Sequence, residues 1–76
     1  MKQLILVIGE KCPLCEESKK LLENLDLHNW FLEEKDIYSS RELHDKYWNK
    51  IPVLLCNNRE LCWPFDVSKV QDFLFS

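Results

Sequence analysis

Leu4-Ile5-Leu6-Val7-Ile8 is a continuous apolar run, too short for a helix and mixed with β-branched residues, the pattern of a central strand covered on both faces. After it, apolar side chains at Leu14, Leu21, Leu22 and Leu25, with small Ser18 between them, recur at helical spacing, while Glu16, Glu17, Lys19, Lys20 and Glu23 fill the opposite side. That segment is predicted to be an amphipathic helix. Trp30-Phe31-Leu32 and Asp36-Ile37-Tyr38 mark the two ends of a second strand, and Glu33-Glu34-Lys35 between them places it toward a sheet edge. Ser39 or Ser40 is a suitable cap for a short helix with Leu43 and Tyr47 on its inner side and Trp48 beside them. This helix must end before Ile51-Pro52.

Val53-Leu54-Leu55-Cys56, the pair Asn57-Asn58 and Arg59-Glu60-Leu61-Cys62 spell a hairpin, because asparagine tolerates the positive φ that tight turns need. Asp66 stands as a cap before Val67, Val70, Phe73 and Leu74, again at helical spacing. The order is β-α-β-α-β-β-α, an α/β arrangement without linker or repeat. A helical crossover makes the first two strands parallel and the hairpin makes the last two antiparallel, so a four-stranded mixed sheet is expected.

Composition narrows the function. The 76 residues suffice for one domain, residues 1–76, with a thin core. A hydrophobic share of 46% beside 30% charged residues fits a folded globule. The single glycine, Gly9, leaves no glycine-rich phosphate cradle and so no P-loop or dinucleotide fingerprint. With a net charge of -3 and scattered basic residues, neither nucleic acid nor a membrane surface is an expected partner. The N-terminal apolar run ends after Ile8 in charged residues without a small-residue cleavage site, so it reads as a strand and not a signal peptide. A cytoplasmic location is expected. There, paired cysteines are more often catalytic or metal-binding than structural.

The Cys12-Pro13-Leu14-Cys15 segment joins a buried strand to an amphipathic helix, and that context gives the CxxC spacing its weight. Pro13 suits the first helical position, where its missing N–H costs nothing. The free N–H groups of Leu14 and Cys15 and the positive end of the helix dipole then favour a thiolate at Cys12. Cys12 is the predicted nucleophile and Cys15 the resolving thiol. Neighbouring Lys11 supports the thiolate, whereas Glu10, Glu16 and Glu17 oppose it. A CxxC that merely packs, or forms an incidental disulfide, is the competing reading.

With these residues in place, the chain resembles glutaredoxin-like members of the thioredoxin superfamily over nearly its whole length, most closely small bacterial proteins of unknown function. The resemblance rests on Cys12-Pro13-Leu14-Cys15, on Asp36-Ile37 ending strand two, and on Ile51-Pro52-Val53 leading into strand three. Leu61-Cys62-Trp63-Pro64-Phe65-Asp66 before the last helix also matches. It implies a thioredoxin-like fold and thiol-disulfide oxidoreductase activity. It also implies a cis bond before Pro52, which would sit across from Cys12, and a Val53 backbone that pairs with a substrate chain. Pro13, Leu14, Pro52, Val53, Trp63 and Asp66 are the implied substrate-binding positions.

The chain departs from the glutaredoxin pattern in three places. Leu14 stands where an aromatic is usual, Gly9 where a basic residue is usual, and Cys62-Trp63-Pro64-Phe65 where a glycine pair binds glutathione. Glutathione is therefore expected to be a poor substrate, and no tightly bound cofactor is expected. The expected partner is a disulfide-bearing protein or a small thiol, the reductant stays open, and the chain is read as a monomer. A non-catalytic binding module using Trp63, Phe65 and the substrate groove is the alternative. Cys56 and Cys62 read as buried small hydrophobes, with Cys56 opposite Arg59 and Cys62 opposite Val53 across the turn. Their six-residue separation disfavours a four-cysteine zinc site. His28 and His44 read as surface residues, Trp30, Tyr47 and Trp48 as core, and Trp63 equally as a contact surface near Cys12 or as packing against Phe65.

Overall fold

The computed structural model describes residues 2–25, 27 and 30–75. His28 lies outside them. The order is β1 (Lys2–Ile8), α1 (Pro13–Glu23), β2 (Trp30–Asp36), a 3-10 turn over Ile37–Ser39, α2 (Arg41–Tyr47), β3 (Val53–Cys56), β4 (Arg59–Cys62) and α3 (Val67–Phe75). The strands form one mixed sheet in the order β2-β1-β3-β4. β1 runs parallel to β2 with Ile8 opposite Asp36, and antiparallel to β3 with Val7 opposite Val53. β4 completes the sheet with Val53 opposite Cys62 and Cys56 opposite Arg59, the pairing expected from the turn.

Alternation along the strands splits the core into two layers. Leu4, Leu6, Leu54 and Cys56 face one side, where they pack with Leu22 of α1 and with Val70 and Leu74 of α3. Val7 and Val53 face the other side and meet Ile37 and Tyr47. α2 and the 3-10 turn thus cover the second face near the end where β1 leaves the sheet.

Two boundaries and the burial of one side chain depart from the sequence pattern. β1 starts at Lys2, ahead of the apolar run, because the ladder pairs Lys2 with Trp30 and Gln3 with Phe31. β2 stops at Asp36 and does not continue through Tyr38. The Asp36 carboxylate accepts the Tyr38 N–H at 2.8 Å, and its carbonyl accepts the Ser39 hydroxyl at 2.6 Å. This aspartate cap turns the chain, so that Ile37 goes inward at 4% exposure and Tyr38 outward at 67%. Trp48, read as core, is 59% exposed, because the chain closes back at the end of α2 with Lys50 and Ile51 N–H groups both reaching the Tyr47 carbonyl.

The remaining caps follow the sequence. Of the two serine candidates, Ser40 caps α2 through its hydroxyl and the Leu43 N–H. Asp66 caps α3 by accepting the Lys69 N–H at 2.8 Å. In the hairpin turn, Asn57 takes the positive φ, at 56°. Among the described residues no helix is long and apolar enough to cross a membrane.

Tyr47 is the polar anchor of the α2 layer. Its ring is buried, and its hydroxyl donates to Glu60 Oε2 on β4 at 2.5 Å. Burial pushes its pKa up to about 12, with further contributions from the Glu60 carboxylate as acceptor and charge, and from the Cys62 thiol. The folded-state pKa is raised above the unfolded one, so this stabilisation is complete below about pH 10 and is lost as pH rises toward 12. In a Tyr38→Phe variant, which isolates Tyr47, the tyrosinate absorbance is expected to rise only near pH 12, together with loss of structure. Titration near 10 would contradict the burial and the Glu60 bond. Leu22→Ala and Leu54→Ala, each opening a cavity in the α1–α3 layer, are expected to lower unfolding stability by about 2–5 kcal/mol in denaturant titrations.

Candidate active site

The register decides what meets where. Ile8 ends β1 opposite the end of β2, Val7 lies opposite the start of β3, and the start of β3 lies opposite the end of β4. Segments 9–12, 37–40, 48–52 and 63–66 therefore gather at one end of the sheet. Gly9 shows how closely. A Cβ built there would fall 2.6 Å from Ile51 Cδ1 and 3.5 Å from Ile37 Cδ1, so the missing side chain is the space into which Ile51 packs.

At this end Cys12 is the N-cap of α1, with extended backbone (φ -113°, ψ 99°) and Pro13 following at the start of the helix. Its carbonyl accepts the N–H groups of Cys15 at 3.1 Å and Glu16 at 3.2 Å. Its Sγ accepts the Cys15 N–H at 3.2 Å. The expected second donor, Leu14 N–H, makes no such bond among the described residues. Cys12 and Cys15 are joined as a disulfide with Cα atoms 5.2 Å apart. Cys12 is half-buried and Cys15 is 2% exposed, so an incoming group reaches the first sulfur and not the second. Behind them, buried Ser18 donates its hydroxyl to the Cys15 carbonyl at 2.7 Å, which satisfies the one buried polar side chain of α1. Lys11, exposed, takes a left-handed φ of 50°, a conformation uncommon for a residue with a Cβ.

The other named positions divide. Pro13 and Leu14 are exposed beside Cys12. Ile51–Pro52 is cis. Pro52 is buried and its carbonyl accepts the Trp63 N–H at 3.1 Å. Val53 corrects an expectation. It is fully buried between Val7 and Cys62, so its backbone sits inside the sheet with a strand on each side and offers no free edge to a substrate chain. The Asp66 carboxylate is engaged in capping α3. Trp63 is half-buried and meets Phe65 edge-on at 4.9 Å. Phe65 is 4% exposed, so it cannot serve as the contact surface that a binding module would need.

The second cysteine pair also splits. Cys56 is buried as expected, whereas Cys62 is exposed, which corrects its reading as a core residue. Cys62 lies three residues beyond Arg59, the cross-strand partner of Cys56, so the two sit on opposite faces of the sheet, Cys56 toward α1 and α3, Cys62 toward Tyr47. The four cysteines do not converge, and among the described residues no three His, Cys, Asp or Glu side chains are placed to hold a metal ion. Sequence patterning missed a second cis bond, Trp63–Pro64, and the role of Gly9, whose only signal was its isolation.

These elements and this register define a thioredoxin-like fold with a CxxC disulfide at the strand end. The sequence profile of the glutaredoxin-like domain (DUF836) matches residues 3–75, and the chain belongs to that family. It is similar to the X-ray structure of Northeast Structural Genomics target protein XcR50 from X. campestris, at 27% identity and a TM-score of 0.77 over 93% of each chain. The solution structure of the same target is similar at 28% identity and a TM-score of 0.76, covering 97% of this chain and 92% of that one. No curated protein matches the chain.

Accessibility sets the order of thiol reactivity. In the oxidised protein Cys62 is expected to alkylate quickly while Cys56 stays protected until unfolding. After reduction Cys12 joins and is the thiol that still reacts at mildly acidic pH. Mass spectrometry of partial alkylation checks this, and Cys15 or Cys56 reacting ahead of Cys12 would contradict the burial pattern.

Proposed function

We propose that this domain is a thiol-disulfide oxidoreductase of the glutaredoxin-like type. The observation that carries this reading is the asymmetry of the pair: a half-exposed Cys12 sulfur at a helix N-terminus receiving an N–H, backed by a buried Cys15. In the reduced form, the N–H and the helix dipole stabilise negative charge on Cys12. The Cys12 thiolate attacks one sulfur of a substrate disulfide, forms a mixed disulfide and releases the first substrate thiolate, which takes up a proton. Cys15 gives up its proton and attacks the Cys12 sulfur, expelling the second thiolate. Two electrons pass to the substrate, which leaves as two thiols, and the Cys12–Cys15 disulfide is regenerated. A separate dithiol donor reverses that last bond. Lys11 contributes positive charge beside the nucleophile, while exposed Pro13 and Leu14 line the approach and buried Pro52 stands behind it with its carbonyl held by the Trp63 N–H.

Glutathione fits this end poorly. Its two carboxylates need fixed donors and positive charge, each charge-assisted bond contributing about 1.5–3 kcal/mol. Gly9 brings no charge, Pro64 has no N–H, and the Asp66 carboxylate is of the wrong sign and already engaged. Loss of two such contacts weakens binding roughly a hundredfold or more.

Cys12→Ser is expected to abolish disulfide reduction, and Cys15→Ser to stall as a mixed disulfide recoverable by mass. The Cys12–Cys15 couple is expected to equilibrate within about -200 to -270 mV, the span from glutaredoxins to thioredoxin. Reduction of the oxidised protein by a thioredoxin reductase system is expected to outpace reduction by glutathione. Efficient glutathione-driven turnover would refute the argument about this end, and retained reductase activity in Cys12→Ser would refute the nucleophile.

A further inference from the structure

Among the described residues, two that carry a side chain take a left-handed backbone, Asn57 at φ 56° and Lys11 at φ 50°. Asn57 is an asparagine in a hairpin turn, a residue and a place that accept it. Lys11 stands immediately before Cys12, and in this conformation its Cβ crowds a neighbouring carbonyl. Its side chain does not hold the backbone in that shape, being exposed and without a hydrogen bond or ion pair among the described residues. Such a conformation persists where both ends of the segment are fixed by something else.

Both ends are fixed here. Four residues, 9–12, connect the end of β1 to the start of α1. At the strand end, Ile8 is still in the ladder opposite Asp36, and Gly9 is closed in by Ile51 and Ile37 without room for a Cβ. At the helix end, Cys15, Ser18 and Leu22 are the buried face of α1, which sets the rotation of the helix about its axis and so the place of its cap. Pro13 disfavours the helical region for Cys12, and Cys12 is extended accordingly, at φ -113° and ψ 99°. The change of direction falls to Glu10 and Lys11, the two turn residues. Lys11 is the second of them, a position where a positive φ ordinarily calls for glycine or asparagine.

Extending the oxidoreductase reading above, we infer that Lys11 is a positioning residue: its left-handed backbone, in addition to its ammonium charge, holds Cys12 where the sulfur receives the Cys15 N–H. A negative φ at Lys11 would swing Cys12 away from the end of α1. The 3.2 Å contact of Sγ with the Cys15 N–H and the bonds from Cys15 and Glu16 N–H to the Cys12 carbonyl would then be lost together. The packing at Gly9 and the rotation of α1 hold the strain, and its product is the direction of one sulfur.

Charge and backbone are separated by four neutral replacements in the reduced full chain. Lys11→Gln removes the charge and keeps the backbone preference of lysine. Lys11→Gly and Lys11→Asn remove the same charge and accept a positive φ, whereas Lys11→Val removes it and resists a positive φ. Alkylation of Cys12 by iodoacetamide at a pH below the thiol's midpoint, with mass spectrometry separating it from Cys62, reads the thiolate fraction. Glu10, Glu16 and Glu17 are unchanged in all four variants. The Gln, Gly and Asn variants are expected to react alike and the Val variant about tenfold more slowly, as for loss of one hydrogen bond to a charged group. In denaturant titrations Lys11→Asn is expected to unfold at a higher denaturant concentration than Lys11→Gln.

Equal alkylation rates in all four variants would leave charge as the whole contribution of Lys11 and overturn the inference. An Asn variant no more stable than the Gln variant would overturn it too, a comparison that holds even if circular dichroism shows Lys11→Val unfolded. Reduction of 2-hydroxyethyl disulfide by the wild-type protein is followed in parallel. No turnover there would remove the oxidoreductase reading and the inference together, whereas turnover with equal alkylation rates would remove the inference alone.

Discussion

Everything at the candidate site depends on how β1 is held. It is paired on both edges, parallel to β2 and antiparallel to β3, and its side chains enter both core layers, Leu4 and Leu6 on one face and Val7 on the other. A strand with both faces buried has no freedom to slip, because a shift of one residue would exchange the two layers. The direction of β1 then fixes where the chain leaves the sheet. With β2 ending and β3 starting at the same level, the connections that carry Cys12, Tyr38, Trp48 and Pro52 have no other place to go. The site is a consequence of register before it is a matter of any one side chain.

Much of this was legible in the sequence because it rests on short-range patterns. The apolar run at Leu4–Ile8, the helical spacing after Cys12, the asparagine turn and the Asp66 cap each report on their own neighbourhood, and each appears where the pattern puts it. The CxxC at the start of α1 was legible for the same reason. What stayed hidden was set by contacts distant in sequence or by a side chain overriding an alternation. Tyr38 reads as the end of a strand until the Asp36 carboxylate turns the backbone away. Trp48 reads as core by its helical position, but the return of two N–H groups to Tyr47 puts it on a turn. Cys62 occupies a strand position whose face is known only once β4 is seen to be an edge, with Glu60 and Cys62 both turned toward α2. The space at Gly9 is filled from residue 51, and no local pattern could announce that.

The same register accounts for the division of labour between the two cysteine pairs. Cys12 caps α1 with extended backbone just outside the helix, while Cys15 sits in the first turn on its buried face, so the first sulfur is accessible and the second protected. Cys56 and Cys62 are an odd number of pleats apart across a two-residue turn, so burial of the sheet necessarily sends them to opposite faces. The cap position brings the first pair within disulfide reach, and the hairpin register keeps the second pair apart.

The electrostatics around Cys12 set local against distributed effects. Glu10, Glu16 and Glu17 surround the sulfur in sequence, and simple charge counting would favour the neutral thiol. All three are exposed, however, and exposed charges act through a high dielectric and a screening length of about 8 Å at physiological salt. The Cys15 N–H acts on the sulfur directly at 3.2 Å, inside the first turn, where the helix dipole contributes about 0.3–1 kcal/mol and salt screens it least. Lys11 adds an opposing charge from the adjacent position. The directional contribution therefore prevails at the sulfur, while the carboxylates act further out, on what approaches it. Under the oxidoreductase reading proposed above, an acidic surround and an activated Cys12 thiolate are therefore compatible features of the same helix end.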